Sequence, residues 1–273
     1  RKNFEEAKAQ FATIEASMFR SFAELGSKLT PLTGNERLKI LHDYYRLGRE
    51  DEFNFDIRRG RITGTDFRNE ICNTRIKYHS DYFEDEGKVG RVLFIKKYPT
   101  YLSDRFFTEL TFLPVHSITS VDVVPVPKDL TMKMLQKKYL GIESDIIKQQ
   151  RTRNRNNDFS SDISYATRQK KRDIEEIMNN VRENDESLYY VSVTMIVMAD
   201  DRDELESICE TVDSIAKGAG CAVDTCMYKQ REAVNTTLPI GVRQIETMRT
   251  MLTQSLAVLM PFNVQERATR FAV

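Results

Sequence analysis

The stretch Leu188-Tyr189-Tyr190-Val191-Ser192-Val193-Thr194-Met195-Ile196-Val197-Met198 decides the fold class. With Ala199 it is the most apolar run of the chain, about half of the ~20 residues that a bilayer-spanning helix needs. Its Val, Ile and Tyr content at that length describes a buried strand. Behind it, Asp201 to Lys217 carries a helical pattern, with Leu205, Ile208, Val212 and Ala216 at three- and four-residue steps. Gly220 supplies the stop, and Cys221 to Tyr228 follows as a second strand. The whole reads as a β-α-β unit.

Working upstream, Leu130 to Arg182 is helical in two halves, separated by the polar turn Asn154-Arg155-Asn156-Asn157-Asp158-Phe159-Ser160. Two helices of ~20 residues joined this way predict an antiparallel hairpin roughly 30 Å long. His116 to Val126 is β-branched and alternating, and Phe106 to Leu113 is a short helix or loop. Arg75 to Phe83 and Gly90 to Tyr98 read as strands around the turn Glu84-Asp85-Glu86-Gly87-Lys88. At the front, Phe4 to Leu25 is a helix with Phe11, Ile14, Met18 and Phe22 on one stripe, ended by Gly26. Ser27 to Leu32 is extended, Asn35 to Leu47 is a second helix, and Asp51 to Asn73 is irregular.

Placing Gly26 on Gly220 aligns Phe11 with Leu205, Ile14 with Ile208, Met18 with Val212, Phe22 with Ala216 and Leu29 with Val223. This suggests an internal repeat whose first strand would precede Lys2. The expected fold is therefore α+β, built of ferredoxin-like β-α-β units with the helical hairpin projecting. One subdomain is expected over 1–115, a second over 116–262 with the hairpin at 130–182, and a linker or tail over 263–273.

Composition narrows the function classes. The 41 basic and 41 acidic side chains among 273 residues cancel, so no global field draws the chain to nucleic acid. Four cysteines, Cys72, Cys209, Cys221 and Cys226, suit a reducing compartment, and their spacing does not form a zinc set. His42, His79 and His116 have no partner at metal-ligand spacing, and no Gly-x-Ser-x-Gly elbow occurs. No G-x-x-x-x-G-K-[ST] phosphate loop is present either. The opening Arg1-Lys2-Asn3-Phe4 lacks a signal-peptide pattern and does not begin with Met, so a piece of a longer protein is expected.

The remaining candidates are surfaces. Lys148, Arg151, Arg153 and Arg155 cluster near the predicted hairpin tip, with Arg168, Lys170, Lys171 and Arg172 further along. They read either as a solvated helical pair balanced by Asp145, Asp173, Glu175 and Glu176, or as a site for acidic lipid head groups or an acidic protein. A strand edge around Arg91 to Lys97, with Arg91, Lys96 and Lys97, is the second candidate. Few aromatics interleave with the charges, which argues against nucleic acid.

Four stretches carry a resemblance: Phe4-Glu5-Glu6-Ala7-Lys8 through Phe11 and Glu15; Leu29-Thr30-Pro31-Leu32 followed by Glu36 to Asp43; Leu238-Pro239-Ile240-Gly241; and the helix-like run Ile245 to Leu259 closing on Met260-Pro261-Phe262. In this order they resemble the N-terminal domain of the VirB/TrbE/CagE family, the conjugal-transfer ATPases of type IV secretion systems, in its conjugative-transposon branch. The resemblance implies a cytoplasmic parent ATPase, peripheral at the inner face of the membrane. Its C-terminal domain would bind ATP and Mg. The N-terminal domain would bind no cofactor, and would dock on the channel proteins, on its own ATPase domain and on neighbouring subunits, with self-association a further option. Residues Glu266 to Val273 depart from the glycine-rich continuation the family would show, and no catalytic residue of the family maps onto this chain. The alternative is a DNA-binding accessory factor of a conjugative element, holding DNA with the basic helix pair.

Overall fold

The structure, a computed structural model, describes residues 2–72, 75–99, 102, 104–155, 165–184 and 186–259. Met260-Pro261-Phe262, the tail and most of the predicted hairpin turn lie outside the described residues. The chain divides into two compact units, residues 1–72 and 73–273.

The first unit is helical, with no strand among its described residues. Helix α1 (Lys2–Glu24) runs to the left-handed Gly26, at φ 73°. Helix α2 (Gly34–Tyr45) opens with a reciprocal capping box, in which the Thr33 hydroxyl accepts from Glu36 N and the Glu36 carboxylate accepts from Thr33 N at 2.7 Å. The segment expected to be irregular contains α3 (Ile57–Thr63) and α4 (Arg68–Ile71). Asp56 caps α3 by accepting from Arg59 N, and Gly64 ends it at φ 73°. Asn35 bridges two helix starts, donating to Asp56 Oδ2 at 3.0 Å and accepting from Ile57 N at 3.0 Å. His42 is buried with its ring edge-on to Phe53, which makes it a packing residue.

The second unit is one antiparallel sheet with helices on both faces. Strands β1 (Lys77–Tyr78) and β2 (Phe83–Asp85) lead into β3 (Lys88–Lys97). The β2–β3 turn is two residues, Glu86 and Gly87, at φ 43° and 89°, as a type I′ hairpin requires. The expected five-residue turn was too long because the charges of Glu84, Asp85 and Lys88 masked three strand positions. Helix α5 (Asp104–Thr111) joins β3 to β4 (Ser117–Pro125). Helices α6 (Lys128–Arg155) and α7 (Tyr165–Glu183) follow, then β5 (Leu188–Ala199). Helix α8 (Arg202–Gly218) connects β5 to β6 (Ala222–Thr225). Helix α9 (Gln230–Thr237), β7 (Arg249–Leu252) and α10 (Thr253–Ala257) complete the unit.

Strand β5 is the axis of the sheet. Its one edge pairs with β4 from Tyr189 to Val197, and its other edge pairs with β3 and then β7. Strand β6 lies on the far edge of β3, giving the order β6-β3-β5-β4, every neighbour antiparallel. On one face, Val191, Val193, Met195, Val197 and Ala199 pack with Leu205, Ile208, Val212 and Ala216 of α8 and Phe106, Phe107 and Leu110 of α5. On the other face, Ser192, Thr194, Ile196 and Met198 are buried too, with α9 touching β3, β4 and β5.

Three expectations are corrected here. The domain boundary falls after Cys72, not near 115, because β3 must pair with β5 and β6 to satisfy its backbone. The strands expected in the first subdomain, β1 to β3, belong to the second unit, which leaves residues 1–72 as a helical unit. The internal repeat covers a helix and its glycine stop, since Gly26 and Gly220 both take φ 73°, but it fails beyond that. Val223 sits in β6 while Leu29 lies in no strand. Leu205 and Val212 are core residues, whereas Phe11 and Met18 are 69% and 51% exposed. A strand needs a neighbouring edge, and an all-helical unit offers none.

Gly90 faces Phe83 and Met198 so closely that an added Cβ would collide with both side chains. Gly90→Ala is therefore expected to destabilise the second unit by about 1–3 kcal/mol, read as a lower urea midpoint at unchanged m-value.

Candidate functional site

The basic residues named from sequence separate into two groups. Lys148, Arg151, Arg153 and Arg155 occupy the last turns of α6, where positive charge complements the helix dipole. Steps of three and four residues put Lys148, Arg151 and Arg155 on one stripe. All three are exposed, and Arg153, off that stripe, is half-buried. Lys148 Nζ lies 3.8 Å from Asp145 Oδ1, both side chains largely in solvent, so this pair is weak. On α7, Lys171 is engaged differently: it donates to Glu143 Oε1 of α6 at 3.0 Å and lies 5.0 Å from the Tyr139 ring centre. The Glu143 hydrogen bond holds the Lys171 ammonium above its ordinary pKa, and the same bond holds the Glu143 carboxyl below its own. Beside this contact α6 and α7 enclose an open groove lined by Lys138, Ile142 and Asp145 on one side and Lys170, Asp173 and Ile174 on the other.

The second group is committed within the fold, which corrects the reading of Arg91 to Lys97 as an available strand edge. Strand β3 is paired on both sides, with β5 on one and with β2 and β6 on the other. The short gap between β2 and β6 is closed by Gln230, which is 1% exposed. Its side chain accepts from Val92 N at 2.9 Å and donates to Cys226 O at 3.0 Å, while Cys226 N donates to Val92 O at 3.0 Å.

Arg91 is buried, and its guanidinium makes four hydrogen bonds within the fold. Nη1 and Nη2 donate to both carboxylate oxygens of Glu206 at 2.9 and 2.7 Å, Nη2 also donates to Asp81 Oδ2 at 2.9 Å, and Nε donates to Asp81 O at 2.9 Å. Such a planar fork on carboxylates is among the stronger ion-pair geometries. The Arg91 hydrogen bond draws the Glu206 carboxyl below its ordinary pKa, and the guanidinium is raised in return. Arg202 extends the cluster, 3.5 Å from Asp81 and stacked 3.8 Å over the Tyr82 ring, which itself stacks on His79 at 4.2 Å. Burial raises the neighbouring Cys209 thiol, so it remains protonated at neutral pH. This cluster clamps α8 to β3 and to the loop before β2. Lys96 is likewise paired, 2.8 Å from Asp224 Oδ2, and Lys97 is exposed at the bulge where β3 meets β6.

Sequence reasoning missed a polar patch on the α9 face of the sheet. Asp122 of β4 stands opposite Ser192 of β5, with Thr194 two residues along. Asp122 Oδ2, Ser192 Oγ and Thr194 Oγ1 are buried without a hydrogen-bond partner. Burial pushes the Asp122 carboxyl up, with Arg243 acting in the opposite direction. The signal was present as Ser and Thr inside an apolar run, but a two-faced strand hides which face they occupy.

Among the described residues, no group of three or more His, Cys, Asp and Glu side chains could hold a metal ion, and no helix is long and apolar enough to cross a membrane. Neither a protein-family model nor a curated protein sequence matches the chain.

Arg91→Met should lower stability at pH 7 by about 1–3 kcal/mol, since it leaves two carboxylates and a carbonyl without their donor. Because the folded Glu206 pKa is depressed, its contribution is present above the unfolded-state pKa and is lost as pH falls through the folded value. The gap between wild type and variant should then close below the ordinary carboxylate range, as urea titrations from pH 7 to pH 3 would record.

Proposed function

We propose that this chain is a non-catalytic docking and assembly domain of a type IV secretion or conjugative-transfer motor ATPase. The observation that carries the reading is the contrast between its basic residues. Arg91, Lys96 and Lys171 are held by carboxylates of the fold, whereas Lys148, Arg151 and Arg155 form an exposed stripe at the end of a 28-residue helix. A stripe of this kind suits an acidic surface at the inner face of a membrane, either anionic head groups or the acidic loops of a channel protein. The sheet order β6-β3-β5-β4, with α5 and α8 as its connecting helices, supports a ferredoxin-like scaffold in which α6 and α7 form a projecting hairpin between β4 and β5. The tie between Lys171 and Glu143 is consistent with that hairpin.

On this reading ATP and Mg belong to a separate domain of the parent protein, and the present chain takes part through contact. Holding a γ-phosphate requires a phosphate loop and metal ligands that the sequence does not provide. A DNA-holding role for the helix pair is the weaker alternative, since the net charge is zero.

Two outcomes are expected. The triple variant Lys148→Glu, Arg151→Glu, Arg155→Glu should reduce sedimentation of the chain with native inner membranes by at least about tenfold, as the loss of three near-surface cations implies. Equal sedimentation of wild type and variant would remove the α6 stripe from the docking role. The purified chain should show no ATP turnover above a mock preparation, and turnover that tracks the protein through a final column would overturn the non-catalytic reading.

A further inference from the structure

Strand β4 is the outermost strand at its end of the sheet: it pairs with β5, and no described strand pairs with its other edge. Its hydrogen-bonding parity follows from two bonds that flank the ladder. Met198 N donates to His116 O, and Val126 N donates to Leu188 O, which fixes the even-numbered residues as those bonded to β5. The backbone N–H and C=O groups of Ser117, Thr119, Val121 and Val123 therefore point to the open edge, together with the C=O of Pro125. Nine residues make a long edge strand. Proline at an outward position removes the last donor, which limits pairing to a finite segment and does not block it.

We infer that this edge pairs with β4 of a second copy of the chain, antiparallel, about a two-fold axis at Val121. The register is chosen by Asp122, the one charged residue of the strand. With the axis at Asp122 the two carboxylates would face each other, and with the axis at Ser120 each would face Ile118. With the axis at Val121, Asp122 stands opposite Ser120 of the second copy, a hydroxyl donor beside a half-buried carboxylate. In the same register Ile118 meets Val124, which is 38% exposed. Thr119 meets Val123, Val121 meets itself, and Ser117 meets Pro125. Every cross-strand pair is apolar, neutral or donor to acceptor, as an isologous contact demands. The result is a continuous sheet across two copies. This inference goes beyond the docking reading and does not depend on the α6 stripe.

The test is the mass of the purified chain by sedimentation equilibrium from 1 to 100 μM, where the wild type is expected to dimerise. Ser120→Asp places a carboxylate opposite Asp122 twice per dimer and should raise the dissociation constant about tenfold, while Ser120→Asn should leave it near the wild-type value. Val121→Pro deletes an outward donor without removing a β4–β5 bond, and should yield a monomer with unchanged far-UV circular dichroism. As an independent readout, Val121→Cys, which lies on the axis and keeps Ser120 and Asp122, should give a disulfide-linked dimer on oxidation, because residues at a hydrogen-bonded pair lie about 5.5 Å apart. A wild type that remains monomeric at 100 μM overturns the inference and favours either a guarded edge or an extended peptide of another protein. A dimer whose affinity is untouched by Ser120→Asp also overturns it, since the contact would then lie elsewhere.

Discussion

The second unit depends on the two-sided burial of β5. A strand that is covered on both faces and paired along both edges can hold no unpaired backbone group, so each neighbour is compelled to supply one. Strand β4 answers on one side, and β3 with β7 on the other. The chain must then cover each face, which it does with α5 and α8 on one and α9 on the other. Gln230 shows how strict the demand is: where β2 ends and β6 has not begun, a side-chain amide stands in for a strand.

This constraint also sorts the charged residues. An arginine on β3 is largely removed from solvent once α8 packs on the sheet, so Arg91 is retained by its hydrogen bonds to Glu206 and Asp81. The same residue type on α6, which does not cover the sheet along its last turns, remains in water. Position relative to the sheet, and not residue type, separates a clamp from a contact surface. Among the described strands, β4 is the longest with one edge that no strand pairs.

Much of the architecture was legible in the sequence. The apolar run from Leu188, the α8 stripe and the alternation of 116–126 gave elements that the structure reproduces to within a few residues, because periodicity and β-branching report burial directly. The short helices α3 and α4 were not legible, since seven- and four-residue helices carry too few apolar repeats to register. The Phe11 stripe of α1 and the Leu205 stripe of α8 look alike in sequence, yet one is exposed and the other forms the core. Periodicity states that a face is apolar; it does not state what covers it.

The sequence by itself determined the α+β class, the long helical segments between β4 and β5, and the absence of a phosphate loop. Each depends on local pattern or on residues that chemistry requires to be adjacent. Tertiary structure alone decided which strands are neighbours, that the chain divides after Cys72, and that Arg91 is buried while Lys148 and Arg151 are exposed. Pairings such as Arg91 with Glu206 or Val92 with Gln230 join residues more than a hundred positions apart, and no local propensity encodes them. They arise only when one buried strand forces distant segments to satisfy its two edges and two faces.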